Sequence, residues 1–321
     1  MAKMPGKTSS FVKRAWWLAA SAATPSVFTL RRLGGRTRDA VFFALYEIST
    51  LFWRYFVRAR DGRIIARERE ERLLKSLARF GFLRTRDCAA LRPLWGRGAT
   101  GEPRLEAPVA TASDVRMAQR TLRRLANARQ VLRGQGPDGS VIYALSEAGA
   151  RRLQHAGIAA TTGKDLVRAF SSAHFRHRTI ANMIGIRGLL EGYWVSTERE
   201  LSQGKGLGSV DGIAGKKPDV LLRGADGRLW WCEVERSRKN AKEYAKLLKW
   251  LDAVAADAAS TSGSKLLGNG LKWGKVIFVC TRAFRAKLTR DLIAKGWKKS
   301  ALDALVVFST ELYKFEDIVF A

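Results

Sequence analysis

The chain has 321 residues, 46% of them hydrophobic, and carries 58 Lys and Arg against 29 Asp and Glu, a formal charge of +29. That apolar content excludes a disordered polyelectrolyte, the length admits two domains, and the charge fits an acidic polymer, nucleic acid before anionic lipid, with RNA fitting it as well as DNA. Cys88, Cys232 and Cys280 stand far apart with no C-x-x-C spacing, which excludes a zinc site or a disulfide frame and fits isolated thiols in a reducing, cytoplasmic compartment.

Residues 1–60 read as a helical extension. Lys3, Lys7, Lys13 and Arg14 precede an apolar stretch at 15–20 that superficially resembles a secretion signal, and an apolar run of helix length spans Asp39 to Val57. A membrane span needs about 20 apolar residues. This run holds Glu47 and Arg54, which cost a lipid-facing helix several kcal/mol. Packing on protein is therefore preferred to membrane attachment through residues 15–57.

Leu73, Leu74 and Leu77 recur at helical spacing between Arg67 and Phe80, and Gly81 ends that helix. Thr85 is an N-cap candidate for a short helix to Leu91, and Pro93 to Pro108 reads as a loop. Ser113 or Asp114 then caps a helix reaching about Gln130, with Val115, Ala118, Leu122 and Leu125 inward and Arg116, Gln119, Arg120 and Arg123 outward. A strand at Val131–Leu132, a Gly- and Pro-containing turn and a strand at 141–145 complete three helices and a hairpin over residues 61–157. That order is the order of a winged helix, with the arginine-bearing helix as its DNA reader. The other reading of that helix is an ordinary basic surface. Ser146 caps a helix to Ala156, residues 158–169 read as a linker, and a long helix runs from about Ser171 to Glu191 with His174, His177 and Asn182 on it. An H-x-x-H pair suits a metal, but with no third ligand in view a structural or phosphate-contacting role for His177 is preferred.

The most informative stretch is Lys217-Pro218-Asp219-Val220-Leu221-Leu222, a Gly-Ala-Asp-Gly turn, and Leu229-Trp230-Trp231-Cys232-Glu233-Val234-Glu235. It predicts a β-hairpin. Asp219 falls at the start of one strand, and Glu233 and Glu235 fall near the end of its neighbour, both on one face. Three crowded carboxylates repel one another and are costly to desolvate, whereas Mg²⁺ or Mn²⁺ takes oxygen ligands. A surface hairpin with solvated acids is the plainer alternative. A basic helix follows, in which Asn240 and Tyr244 share a face, and then strands at 275–280 and 304–308 separated by a helix.

Pro218-Asp219, the turn, the apolar strand and Glu233-x-Glu235 resemble the PD-(D/E)xK nuclease superfamily over about residues 170–310, with Glu235 standing where that motif has Lys. The resemblance implies an α/β chain whose 170–321 domain is a restriction-endonuclease-like mixed sheet. It implies Asp219 and Glu233 as Mg²⁺ ligands, Glu235 as third ligand or general base, Lys239 as the cation that Glu235 does not supply, Glu200 or Glu198 as a further acid, and Tyr244 beside the metal. His174, His177, Asn182, Ser237, Lys239 and Tyr244, taken with the hairpin, are also similar to replication-relaxation and MobC-type mobilisation proteins. That likeness implies a nicking enzyme at a plasmid origin, with conjugation or replication proteins as partners. Two other readings stay open: a DNA-binding replication or regulatory protein whose nuclease fold has decayed, and a membrane-attached transfer component.

Overall fold

The computed structural model describes residues 61–91, 98–168, 172–207, 211–235, 240–260, 263–268 and 270–310, so the extension at 1–60 and Lys239 lie outside the described residues. The described residues from Ala66 onward form one compact unit. Among the described residues the fold is mixed α/β, with ten helices and two sheets. No described helix is long and apolar enough to cross a membrane.

Helix α1 (Gly62–Phe80) buries Leu73, Leu74, Leu77 and Phe80, a stripe at helical spacing. Gly81 stops it at φ +84°, its N–H bonding the Leu77 carbonyl at 2.9 Å. Strand β1 (Phe82–Arg84), α2 (Thr85–Ala90), α3 (Ala112–Asn127), β2 (Val131–Gln135) and β3 (Val141–Leu145) follow, and the strands pair antiparallel in the order β1-β3-β2. Two caps differ from the sequence expectation. Thr85 is the first helical residue of α2, and Asp87 closes that end by accepting from the Arg84 backbone N–H at 2.8 Å and from its guanidinium at 2.9 Å. Thr111 caps α3, with Asp114 at the third helical position accepting back from the Thr111 N–H at 3.1 Å. A threonine hydroxyl followed three residues later by a carboxylate satisfies two orphan donors at once, so it prevails over Ser113.

The stretch expected as a linker is packed over its described part. Helix α4 (Glu147–His155) starts at the Ser146 cap, Gly163 N–H bonds the Leu145 carbonyl at 2.8 Å, and α5 (Lys164–Arg168) lies on β2 and β3.

The second sheet is mixed. Its strands are β4 (Trp194–Thr197), β5 (Val220–Arg223), β6 (Arg228–Glu235), β7 (Lys272–Cys280) and β8 (Val306–Ser309), in sequential order, antiparallel from β4 to β6 and parallel from β6 to β8. Helices α6 (Ser172–Glu191), α7 (Glu198–Ser202), α8 (Ala241–Ala258), α9 (Arg282–Ala294) and α10 (Lys299–Leu305) complete it. Alternation along β6 divides the core in two. Trp230, Cys232 and Val234 join Ile180 and Ile184 of α6 and Leu74 and Leu77 of α1 in one cluster. Leu229 and Trp231 join Leu247 and Leu251 of α8 in the other. Glu233 and Glu235, two and four residues past Trp231, share its face. Close approach of α6 depends on two glycines: a Cβ on Gly188 would lie 2.5 Å from Leu222 Cδ2, and one on Gly185 2.9 Å from Phe80.

The Arg84–Asp87 pair is 2% and 4% exposed. Asp87→Ala takes the counter-charge from a buried guanidinium and is expected to lower unfolding free energy by about 3–5 kcal/mol in urea titration. Glu71→Ala, which breaks the exposed Lys75–Glu71 pair, is expected to change it by less than about 0.5 kcal/mol.

Candidate functional site

The hairpin β5–β6 is the frame. Its register pairs Val220 with Cys232, and the Asp219 N–H donates to the Cys232 carbonyl at 3.1 Å, so Asp219 stands across from Glu233. One Asp219 oxygen accepts from the Val234 N–H at 2.7 Å, and the other meets His177 Nε2 at 3.0 Å. His177 comes from α6, three residues before the core residue Ile180. Beside it, Arg178 pairs with Glu198 at 2.7 Å.

Glu233 is 4% exposed and Glu235 5%. Glu233 accepts from the Trp231 indole N–H at 2.5 Å and from Lys216 Nζ at 2.6 Å. Lys216 reaches it from a two-residue turn. Ile213 and Lys216 exchange backbone hydrogen bonds of 2.8 and 3.2 Å, and the residues between them, Ala214 and Gly215, have φ of +51° and +74°. Positive φ at both central positions matches the turn type that closes tight hairpins.

The charges are coupled. Burial pushes the Glu233 carboxyl up to about 7; Lys216 opposes that rise, while the negative charges of Asp219 and Glu235 add to it. Burial would lower His177, but the hydrogen bond and charge of Asp219, followed by Glu198 and Glu233, outweigh it and raise the imidazole to about 9. Burial would raise Asp219, but His177, the Val234 N–H and Lys216 together hold it below the usual carboxylate range. Lys216 is held above the ordinary lysine value, because Glu233, Asp219 and Glu235 overcome its own desolvation. Three carboxylates and two cations thus act on one another at the end of the hairpin.

Among the sequence-derived candidates, Asp219, Glu233, Glu235 and His177 come together here. Glu200 stands apart. It caps α7 through the Thr197 N–H at 3.0 Å and pairs with Arg79 of α1 at 2.6 Å. Of the two acids considered before the hairpin, Glu198 is the one whose charge reaches the site, through His177. Tyr244 faces α9, donating to Asp291 at 2.9 Å with Lys287 Nζ 3.6 Å from its ring centroid. Asn240 is the N-cap of α8. His174 is exposed, and Asn182 donates to the Phe82 carbonyl at 2.8 Å, tying α6 to β1. Arg116, Gln119, Arg120 and Arg123 are exposed along α3, whose opposite face buries Ala118, Leu122 and Leu125.

Sequence reasoning missed Lys216. Its signal is Gly212-Ile213-Ala214-Gly215, turn chemistry two residues ahead of Lys217-Pro218. The Trp231–Glu233 bond was open to inference from strand period two.

The donor chemistry, three carboxylates near the end of one hairpin, suits a hard divalent cation. Among the described residues, however, no set of three or more His, Cys, Asp or Glu is already arranged to ligate one. Glu233 has both oxygens engaged by Lys216 and Trp231, and Asp219 both by His177 and Val234. Comparison of the chain with protein-family models, with curated proteins and with solved structures gives no match.

Glu233 keeps its proton to about pH 7 in the folded chain against 4.5 for the free group. The unfolded chain therefore releases that proton first, and stability falls as pH rises from 4.5 to 7. His177, raised from 6.5 to about 9, contributes stability that is complete below 6.5 and lost as pH passes 9. Urea midpoints are expected to decline from pH 5 to 9 in the wild type, and Glu233→Gln is expected to flatten the segment between pH 5 and 7.

Proposed function

We propose that the chain is a metal-dependent DNA endonuclease of the PD-(D/E)xK type, with a winged-helix reader at residues 61–157, nicking DNA in plasmid replication or mobilisation. The observation that carries this reading is the meeting of Asp219, Glu233 and Glu235 at the end of one hairpin, with Lys216 and His177 among them. The element order adds to it: the hairpin β5–β6, helix α8, strand β7, helices α9 and α10 and strand β8 follow the order hairpin, helix, strand, helix, strand expected of that nuclease core. The order of α1, β1, α2, α3, β2 and β3, with arginines on the exposed face of α3, supports the reader.

Asp219, Glu233 and Glu235 are the residues that would hold Mg²⁺ or Mn²⁺. When bound, such an ion supplies Lewis acidity and a water of lowered pKa. In the cleavage, a water oxygen bonds to phosphorus, one phosphorus–oxygen ester bond breaks, the water proton passes to a base and the departing oxygen takes up a proton. Glu235, buried beside Glu233, is the base in this scheme or a third ligand. His177 orients Asp219, and the Trp231 indole fixes the rotamer of Glu233. Tyr244 is assigned no step in this scheme, since its hydroxyl donates to Asp291 of α9.

A second reading has one observation in its favour. The carboxylates are already engaged by Lys216, His177, Trp231 and Val234, as they would be in a DNA-binding regulator that has given up metal chemistry. Cleavage separates the two. Nicking of supercoiled plasmid with Mg²⁺ or Mn²⁺ is expected for the wild type, and Glu233→Gln is expected to lower its rate by on the order of 100-fold or more while gel-shift affinity stays level. A wild-type protein that binds but never nicks establishes the regulator.

The reader has its own test. Replacing Arg116, Arg120 and Arg123 by Ala is expected to weaken DNA binding and to flatten log K against log salt by about 0.9 for each phosphate that is no longer neutralised. An unchanged slope removes α3 from the interface.

A further inference from the structure

We propose that Lys216 is the catalytic cation of this site: in the resting protein it neutralises Glu233, and on DNA it touches the scissile phosphate, supplying the positive charge that Glu235 does not. The inference rests on the nuclease reading and adds a residue from outside the hairpin.

Four observations converge on it. Lys216 Nζ lies 2.6 Å from Glu233 Oε2, the carboxylate at the middle of the cluster. Its side chain is 21% exposed, so it is not sealed from solvent. An ammonium has three donors, and a single bond to Glu233 leaves two for phosphate oxygens. Its backbone is also placed at a conformational cost. Ala214 sits in the left-handed region at φ +51°, where a side chain is disfavoured, and Gly212 is at φ +75° where a Cβ would come within 2.1 Å of the Lys216 carbonyl oxygen. Strained backbone of this kind persists where the surroundings over-determine it and clusters at functional sites. Finally, the turn is fastened to the sheet's covering helix. The Trp250 indole of α8 donates to the Ile213 carbonyl at 3.0 Å, and Lys216 Nζ lies 5.8 Å from the Trp250 ring centroid. A lysine needed only for charge balance could come from any flexible loop. This one is delivered by a fixed turn to one oxygen of one carboxylate.

The role has two consequences. While Lys216 holds Glu233 it competes with a divalent cation for the same oxygen, so removing its charge strengthens cation binding. Removing the same charge takes a donor from the phosphate, so cleavage slows. A merely structural lysine paired with Glu233 would also give the stronger cation binding on removal, but no selective fall in kcat.

The experiment uses the full chain and Lys216→Gln, which keeps a hydrogen-bonding side chain, with Lys216→Arg as the charge-keeping variant. Tb³⁺ luminescence sensitised by tryptophan reads the cation site, because Trp231 is bonded to Glu233. Lys216→Gln is expected to bind Tb³⁺ at least about tenfold more tightly than wild type, as removal of a unit charge at such short range requires. Glu233→Gln is expected to abolish that binding. With Mg²⁺ and supercoiled plasmid, Lys216→Gln is expected to nick on the order of 100-fold more slowly at level gel-shift affinity, with Lys216→Arg recovering part of the rate. Tb³⁺ affinity in Lys216→Gln equal to or below wild type overturns the proposal, as does a rate within about threefold of a wild type that nicks, against the fall expected when a donor to the phosphate is removed. If the wild type does not nick, the nuclease reading fails by itself, and the Tb³⁺ comparison still decides whether Lys216 holds the cation's place.

Discussion

Everything at the end of the hairpin follows from the difficulty of burying like charges together. Asp219, Glu233 and Glu235 cannot all be ionised out of water without counter-charge. The fold answers with one cation from each side. His177 arrives from α6 on one face of the sheet, and Lys216 arrives from a tight turn anchored to α8 on the other. Two neutral donors, the Val234 N–H and the Trp231 indole, complete the set. Even so, Glu233 remains a reluctant anion at neutral pH. A site balanced this closely responds to any new charge brought near it, which is what a phosphodiester or a metal ion would be.

Helix α6 links this balance to the rest of the molecule. Its first half carries His177, and its middle carries Asn182, which bonds the β1 backbone. Its second half uses Gly185 and Gly188 to lie against Phe80 and Leu222. Around it, Arg79 bridges α1 to Glu200 and to the Val195 carbonyl, and Arg199 reaches the carbonyl of Thr162 at 2.9 Å. These bonds explain why 158–168 packs as structure: the Thr162 carbonyl accepts from Arg199 of α7, and the small helix lies on β2 and β3.

Much of this was legible in the sequence, and the failures have identifiable causes. The hairpin could be read because Leu229 to Glu235 alternates between two buried faces, which put the acids on one side. The face of α3 could be read because its apolar positions recur every three to four residues. Glu200 was drawn toward the chemistry by its acidity, although Thr197-Glu198-Arg199-Glu200 is itself a helix-start pattern that claims the last carboxylate for the backbone. Tyr244 illustrates a different limit. Helical spacing says which residues share a face, but only the packing of α9 says what that face meets. The partnerships of Lys216 and His177 escaped because they join residues 17 and 42 positions apart, and no local periodicity encodes such a meeting.

The unbroken apolar cluster from Leu74 and Leu77 through Ile180 to Trp230 and Val234 has a geometric consequence. Two modules joined by a loose tether would let an active centre wander along the duplex around whatever was recognised. Here the helix that carries Arg116, Arg120 and Arg123 and the strand that carries Glu233 contribute to one apolar cluster, through Ala118, Leu122 and Leu125 from the first and Cys232 and Val234 from the second. If the proposed nuclease reading holds, that shared core would place the break at a constant offset from the recognised bases. The ruler that would set such an offset is made of leucine, isoleucine and tryptophan, and its length would change only if the core were repacked.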